Sequence, residues 1–174
     1  AGPVARQLEA LMREQGGLID RIDLASYTAP WVEPVQGRFR GLTVLSMPPP
    51  SSGGVTLVQL LNLLESFDLH SMGLNSAAAV HTLVEAMNLA YRDRNSELGD
   101  ADQVEVPVSR LTSKAYAAKL RSLMRSDRHT PSADLGGMSP LPANCTNTTH
   151  LSVADRQGSL VALTTTLNFA YGNG

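Results

Sequence analysis

Apolar positions along the chain fall into helical stripes, one short continuous run and one alternating pair of segments. Val4, Leu8, Leu11 and Met12 recur at helical spacing between Pro3 and Gln15, and Gly16-Gly17 supplies a stop. GLTVLSM, from Gly41 to Met47, reads as a buried strand ended by three consecutive prolines. From Val55 to Phe67, Leu57, Leu60, Leu61 and Leu64 mark one helical face while Val58 and Leu63 lie on the other. A helix apolar nearly all round is a buried one. A better-patterned helix runs from about Ala77 to Asn95, with Val80, Leu83, Val84, Met87 and Tyr91 on its apolar stripe. His81, Glu85, Asn88 and Arg92 face away, and Asn75 or Ser76 can cap it. A shorter helix spans Ser113 to Met124, with Ser113 as its cap.

From Ser126 to Asn147 the periodicity stops. Ser, Pro, Gly and Asn dominate, which predicts a mobile loop or linker of some twenty residues. Beyond it, TTHLSVADRQGSLVALTTTLN alternates as a β-hairpin around Asp155-Arg156-Gln157-Gly158-Ser159. Glycine at the third loop position suits a three-residue turn with a G1 bulge, which pairs Asp155 with Ser159. Thr148 then lies opposite Thr166, and His150 opposite Thr164. By alternation, Thr148, His150 and Ser152 share a face with Thr164, Thr166 and Asn168, while Leu151, Val153, Val161, Leu163 and Leu167 form the core side. A two-residue turn would shift this register and undo the face assignment.

Threonine ladders are ordinary on solvated sheet faces, so register alone leaves a bland reading level with a chemical one. The linker shifts the balance. Cleavage of the Asn147–Thr148 bond would give Thr148 a free α-amine beside its own hydroxyl, a recognised way to activate a threonine nucleophile. An α-amine titrates at roughly 7.7–8.0, near enough to neutral to serve as general base.

Composition narrows the field further. The 174 residues carry a net charge of −2, and 43% are hydrophobic. That suits one soluble globular domain and gives no footprint for nucleic acid or an anionic membrane. No apolar run approaches the ~18 residues of a membrane span, and AGPVARQLEA is not a signal peptide. Cys145 stands alone, without an internal disulfide or metal cluster, and as a nucleophile it would need a histidine and an orienting group. His70, His81, His129 and His150 show no ligand spacing, so neither zinc nor another cofactor is expected. PPPSSGG lacks phosphate-loop spacing and reads as a turn and helix start. Asn144-Cys145-Thr146 and Asn147-Thr148-Thr149 match the glycosylation pattern by chance, since a modified Asn147 beside a scissile bond makes little sense.

Four stretches, taken in order, resemble the gamma-glutamyltranspeptidase family. GGLIDRIDLASYTAPWVEPVQGRFRGLTV, MPPPSSGGVTLVQLLNLLESFDL and AMNLAYRDRNSELGDADQVEVPVSRLTSKAYA are similar to its large subunit. TTHLSVADRQGSLVALTTTLN is similar to the start of its small subunit, and only residues 127–147 match loosely. The resemblance implies an α+β chain, a portion of an N-terminal-nucleophile hydrolase αββα sandwich. Residues 1–147 would belong to the large-subunit region and 148–174 to the small-subunit region. It further implies self-cleavage between Asn147 and Thr148, Thr148 as nucleophile, Thr166 hydrogen-bonded to it, and Asn168 binding substrate.

The implied reaction moves a γ-glutamyl group, from a donor such as glutathione, to water or to an amino-acid or peptide acceptor. A bacterial member would be periplasmic or secreted. In the family, the arginine for the substrate α-carboxylate lies upstream of this segment. The acidic residue for the α-amine, paired serines and a Gly-Gly oxyanion hole lie downstream. This stretch alone is therefore expected to remain uncut and inactive without the remaining large- and small-subunit segments, and to leave Val161 and Leu163 poorly covered. Two rivals stay open: a related amidase, cephalosporin acylase-like or polyglutamate-handling, and a catalytically silent structural fragment.

Overall fold

The structure, a computed structural model, describes residues 2–136 and 148–166, with the backbone alone at Ser132, Thr148 and Thr166. It divides into a unit spanning Trp31–Ser139 and a unit formed by Ala1–Pro30 with Pro140–Gly174.

In the larger unit, β1 (Val35–Phe39) pairs antiparallel with β2 (Leu42–Ser46) across a tight turn at Arg40 and Gly41, both in left-handed conformation. β1 escapes the hydrophobic pattern because VQGRF carries two polar residues and a glycine. The glycine is needed, since a Cβ on Gly37 would come within 2.6 Å of Val58 Cγ1 on the following helix. β2 corrects the expectation of a buried strand: Leu42 and Leu45, on opposite faces, are exposed and Val44 is half-buried, because a two-stranded ribbon does not bury either face fully here.

Helix α3 (Gly53–Leu64) follows the three prolines, starting two residues before the predicted Val55 and ending three before the predicted Phe67. Gly54 lies so close to Met47 that an added Cβ would fall 2.0 Å from that residue's carbonyl oxygen. Short α4 (Leu69–Met72) leads to α5 (Ala77–Glu97), where Ser76, rather than Asn75, caps the helix by accepting from the Ala79 N–H. The chain then forms α6 (Val108–Leu111) and α7 (Lys114–Arg121), the latter capped by Ser113 as predicted.

The buried face of α5 is the reverse of that expected, while α3, expected to be buried nearly all round, buries a side that takes Leu64 from one predicted face and Val58 and Leu63 from the other. On α5 the buried residues are Thr82, Glu85, Ala86, Leu89, Ala90 and Asp93, whereas Val80, Leu83, Val84 and Tyr91 are exposed. On α3 they include Val55, Val58, Gln59, Asn62 and Leu63, and Leu57 is exposed. Polar pairing decides the orientation. Gln59 Nε2 donates to Asp93 Oδ2 at 2.6 Å, and Arg92 completes the carboxylate through Oδ1. Asn62 Nδ2 donates to the Thr112 carbonyl at 2.7 Å. Buried amides and carboxylates need such partners, and Ala86 and Ala90 let the helices approach closely enough to provide them. Leu63, Leu64, Leu89, Ala117 and Leu120 complete that core, and Val35, Val55, Val58 and Leu111 form a second one.

The segment after α7 is only partly the loose linker expected. Thr130 is buried, its N–H and hydroxyl donating to the Glu85 carboxylate at 2.9 and 2.6 Å, and a 3-10 turn follows at Ser132–Leu135. Residues 137–147 lie outside the described residues.

The smaller unit holds α1 (Pro3–Gln15), ended by left-handed Gly16 as predicted, and α2 (Arg21–Ser26). α2 is short enough to escape a periodicity reading, and a reciprocal capping box between Asp20 and Asp23 starts it. Glu9 is the residue α1 buries, held by Arg13 at 3.0 Å and Arg21 at 2.6 Å. Val4 and Leu11 of the predicted stripe stay exposed.

Two predictions follow from the helix faces. Leu89→Ala, at a site 2% exposed, should cost about 3 kcal/mol in urea unfolding. Leu83→Ala, at 40% exposure, should stay within about 0.5 kcal/mol. Burial would raise the pKa of Glu85, but hydrogen bonds from Thr130 and His129 outweigh it and hold the carboxyl below its ordinary 4.5. Its ionised form therefore contributes stability fully above pH 4.5, and that contribution is lost as pH falls through the lowered folded value. Wild type and Glu85→Gln should differ in unfolding midpoint at neutral pH and converge in acid.

Candidate active site

The hairpin consists of β3 (Thr148–Ala154) and β4 (Leu160–Thr166). Asp155 N–H donates to the Ser159 carbonyl at 3.0 Å and Gly158 N–H to the Asp155 carbonyl at 3.3 Å. Gly158 is left-handed at φ 87°, as the glycine position of a three-residue loop requires. The Asp155 carboxylate accepts from the N–H groups of Gln157 and Ser159 at 2.9 and 2.8 Å. Those bonds, with the one to Ser159 foremost, hold its pKa below the usual value.

This turn sets the register. Thr148 pairs with Thr166, His150 with Thr164, Ser152 with Ala162 and Val153 with Val161, as the sequence predicts. The polar face is linked through the imidazole of His150. Nδ1 is 2.7 Å from Thr164 Oγ1, and Nε2 is 3.1 Å from Ser152 Oγ. Sequence reasoning put these residues on one face without foreseeing that the ring would join two hydroxyls; the signal was there in the 150-to-164 pairing.

On the opposite face Leu151, Val153, Val161 and Leu163 are exposed, so among the described residues nothing covers the side read as core. Cys145, Asn147, Leu167 and Asn168 lie outside the described residues. Among the described residues no group of three or more His, Cys, Asp or Glu is arranged to hold a metal ion, and no helix is long and apolar enough to cross a membrane.

The sequence profile of the family described as Gamma-glutamyltranspeptidase matches residues 1–174. The chain belongs to the gamma-glutamyltranspeptidase family. It is similar to the glutathione hydrolase proenzyme of Escherichia coli K12, with 45% identity over 99% of this chain and 30% of that protein. It is also similar to the Acylase ACY 1 proenzyme of Pseudomonas sp. SE83, with 41% identity over 98% of this chain and 30% of that protein. The chain thus spans about a third of the length of these relatives.

Among solved structures, Helicobacter pylori gamma-glutamyltranspeptidase aligns at TM-score 0.74 and 44% identity, covering 83% of this chain and 42% of that one. Cephalosporin acylase from Bacillus halodurans aligns at TM-score 0.76 and 25% identity, covering 98% of this chain and 29% of that one. The helices and small antiparallel sheets are an α+β portion of the N-terminal-nucleophile hydrolase αββα sandwich that the family adopts.

The turn that sets the family hairpin's register can be followed directly. The Gln157 and Ser159 amide protons should shift with the titration of Asp155, at a midpoint below 3.8. Asp155→Asn should abolish that titration in amide NMR spectra.

Proposed function

We propose that this chain carries the nucleophile of a gamma-glutamyltransferase and glutathione hydrolase. The observation that carries the reading is the backbone pairing of Thr148 with Thr166, in a chain that matches the family throughout. Thr148 first acts on its own chain. Its hydroxyl attacks the Asn147 carbonyl, the peptide C–N bond breaks as the acyl group moves to oxygen, and water hydrolyses the ester. This leaves an Asn147 carboxylate and a Thr148 amine. Residues 1–147 then form the large-subunit part and 148–174 the small-subunit part.

In turnover the Thr148 α-amine takes the hydroxyl proton as Oγ attacks the γ-glutamyl carbonyl of a donor such as glutathione. The amide C–N bond breaks, the departing amine receives the proton, and an ester remains on Thr148. Water or the amine of an amino acid or peptide attacks that ester, releasing glutamate or a new γ-glutamyl amide and restoring the hydroxyl. Thr166 is assigned to hold the nucleophile by a hydrogen bond, and Asn168 to bind the substrate. The reaction needs no cofactor.

Each oxyanion donor outside this stretch is worth about 3–4 kcal/mol, so residues 1–174 alone remain inactive and uncut, at 18.6 kDa. The activity belongs to the chain joined with the remaining large- and small-subunit segments, in the periplasm or outside the cell.

A second reading, amide hydrolysis of a cephalosporin side chain, draws support from the likeness to Acylase ACY 1 and to cephalosporin acylase. Release of glutamate from glutathione against release of a cephalosporin acyl group separates the two.

Thr148→Ala in the full-length protein should abolish self-cleavage and lower γ-glutamyl transfer by at least about a thousandfold. Two normal subunit bands on a denaturing gel from that variant would sink the assignment of the nucleophile.

A further inference from the structure

We propose that His150 is a positioning residue for the threonine cluster and acts through Thr164. The inference rests on the reading of Thr148 as nucleophile and adds a residue to it. Register makes a block of four positions on one hairpin face: Thr148 across from Thr166, and one step along, His150 across from Thr164. Same-face neighbours on a strand are about 7 Å apart, so the second pair directly borders the first.

The imidazole occupies both of its nitrogens, Nδ1 with Thr164 Oγ1 at 2.7 Å and Nε2 with Ser152 Oγ at 3.1 Å. In a neutral ring one nitrogen donates and the other accepts, so each hydroxyl has a defined role on its imidazole side. Thr164 is β-branched and stiff about χ1, and the ring restrains the one freedom it keeps, the direction of its O–H. Without the ring, the side chains of the second pair would lose their cross-strand bond, and the strand spacing beside the first pair would be held by the backbone ladder alone. His150 thus ties β3 to β4 at the side-chain level, through Thr164, in the step that borders the Thr148–Thr166 pair.

The two bonds can be separated by substitution. An asparagine amide reaches roughly where Nδ1 lies and keeps the bond to Thr164, while a glutamine amide reaches toward Nε2 and keeps only the bond to Ser152. In the full-length protein, with glutathione as donor, His150→Gln and His150→Ala should lower kcat about tenfold to a hundredfold with KM changed by less than about twofold. His150→Asn should recover most of that loss. Equal losses in the Asn and Gln variants, losses confined to KM, or a fully active alanine variant would overturn the assignment. Wild-type protein that transfers no γ-glutamyl group would instead overturn the nucleophile reading, and this inference with it.

Discussion

The hydrogen bond between Gln59 and Asp93 decides how the two long helices of the larger unit face each other, and most of that unit depends on it. An amide and a carboxylate, each 1% exposed, are stable in a core only when they satisfy one another. Their pairing turns the α3–α5 seam toward the small residues Ala86 and Ala90, and it brings in Leu63 and Leu89. The same orientation carries Glu85 inward, where it becomes the acceptor for Thr130 and anchors the segment that leaves α7. A rotation that buried Val80, Leu83 and Val84 in this seam would strand those polar groups without partners.

Large apolar side chains stay exposed in both units. Val80, Leu83 and Tyr91 on α5, Leu57 on α3, Leu42 and Leu45 on β2, and Leu151, Val153, Val161 and Leu163 on the hairpin are all exposed. The four hairpin residues share one face of the strand pair, and an exposed apolar face of this kind marks an interaction surface. The chain spans about 30% of the length of its curated relatives.

The hairpin shows a different economy, because its geometry is local. Four N–H groups and one carboxylate close the turn, left-handed Gly158 sets its length, and every cross-strand pair up to Thr148 and Thr166 follows. Nothing distant is required to bring two threonines of the proposed site opposite each other. What the hairpin does not supply is cover for its apolar face, nor the oxyanion donors that the proposed chemistry requires.

The sequence by itself therefore determined whatever is decided over a few residues. The helix stop at Gly16 and the cap at Ser113 are of this kind, as are the G1-bulge turn, the Thr148–Thr166 and His150–Thr164 register, and the motifs that carry the family. Strand β1, with Gln36, Gly37 and Arg38 in five residues, was illegible because its pairing with β2, and not an alternating apolar pattern of its own, makes it a strand. Tertiary structure alone decided which helix faces are buried. Hydrophobic periodicity ranks faces by apolarity, whereas burial in this chain follows from which polar groups find partners across an interface, and those partners, Asp93 for Gln59, Thr112 for Asn62 and Thr130 for Glu85, lie 34 to 50 residues away.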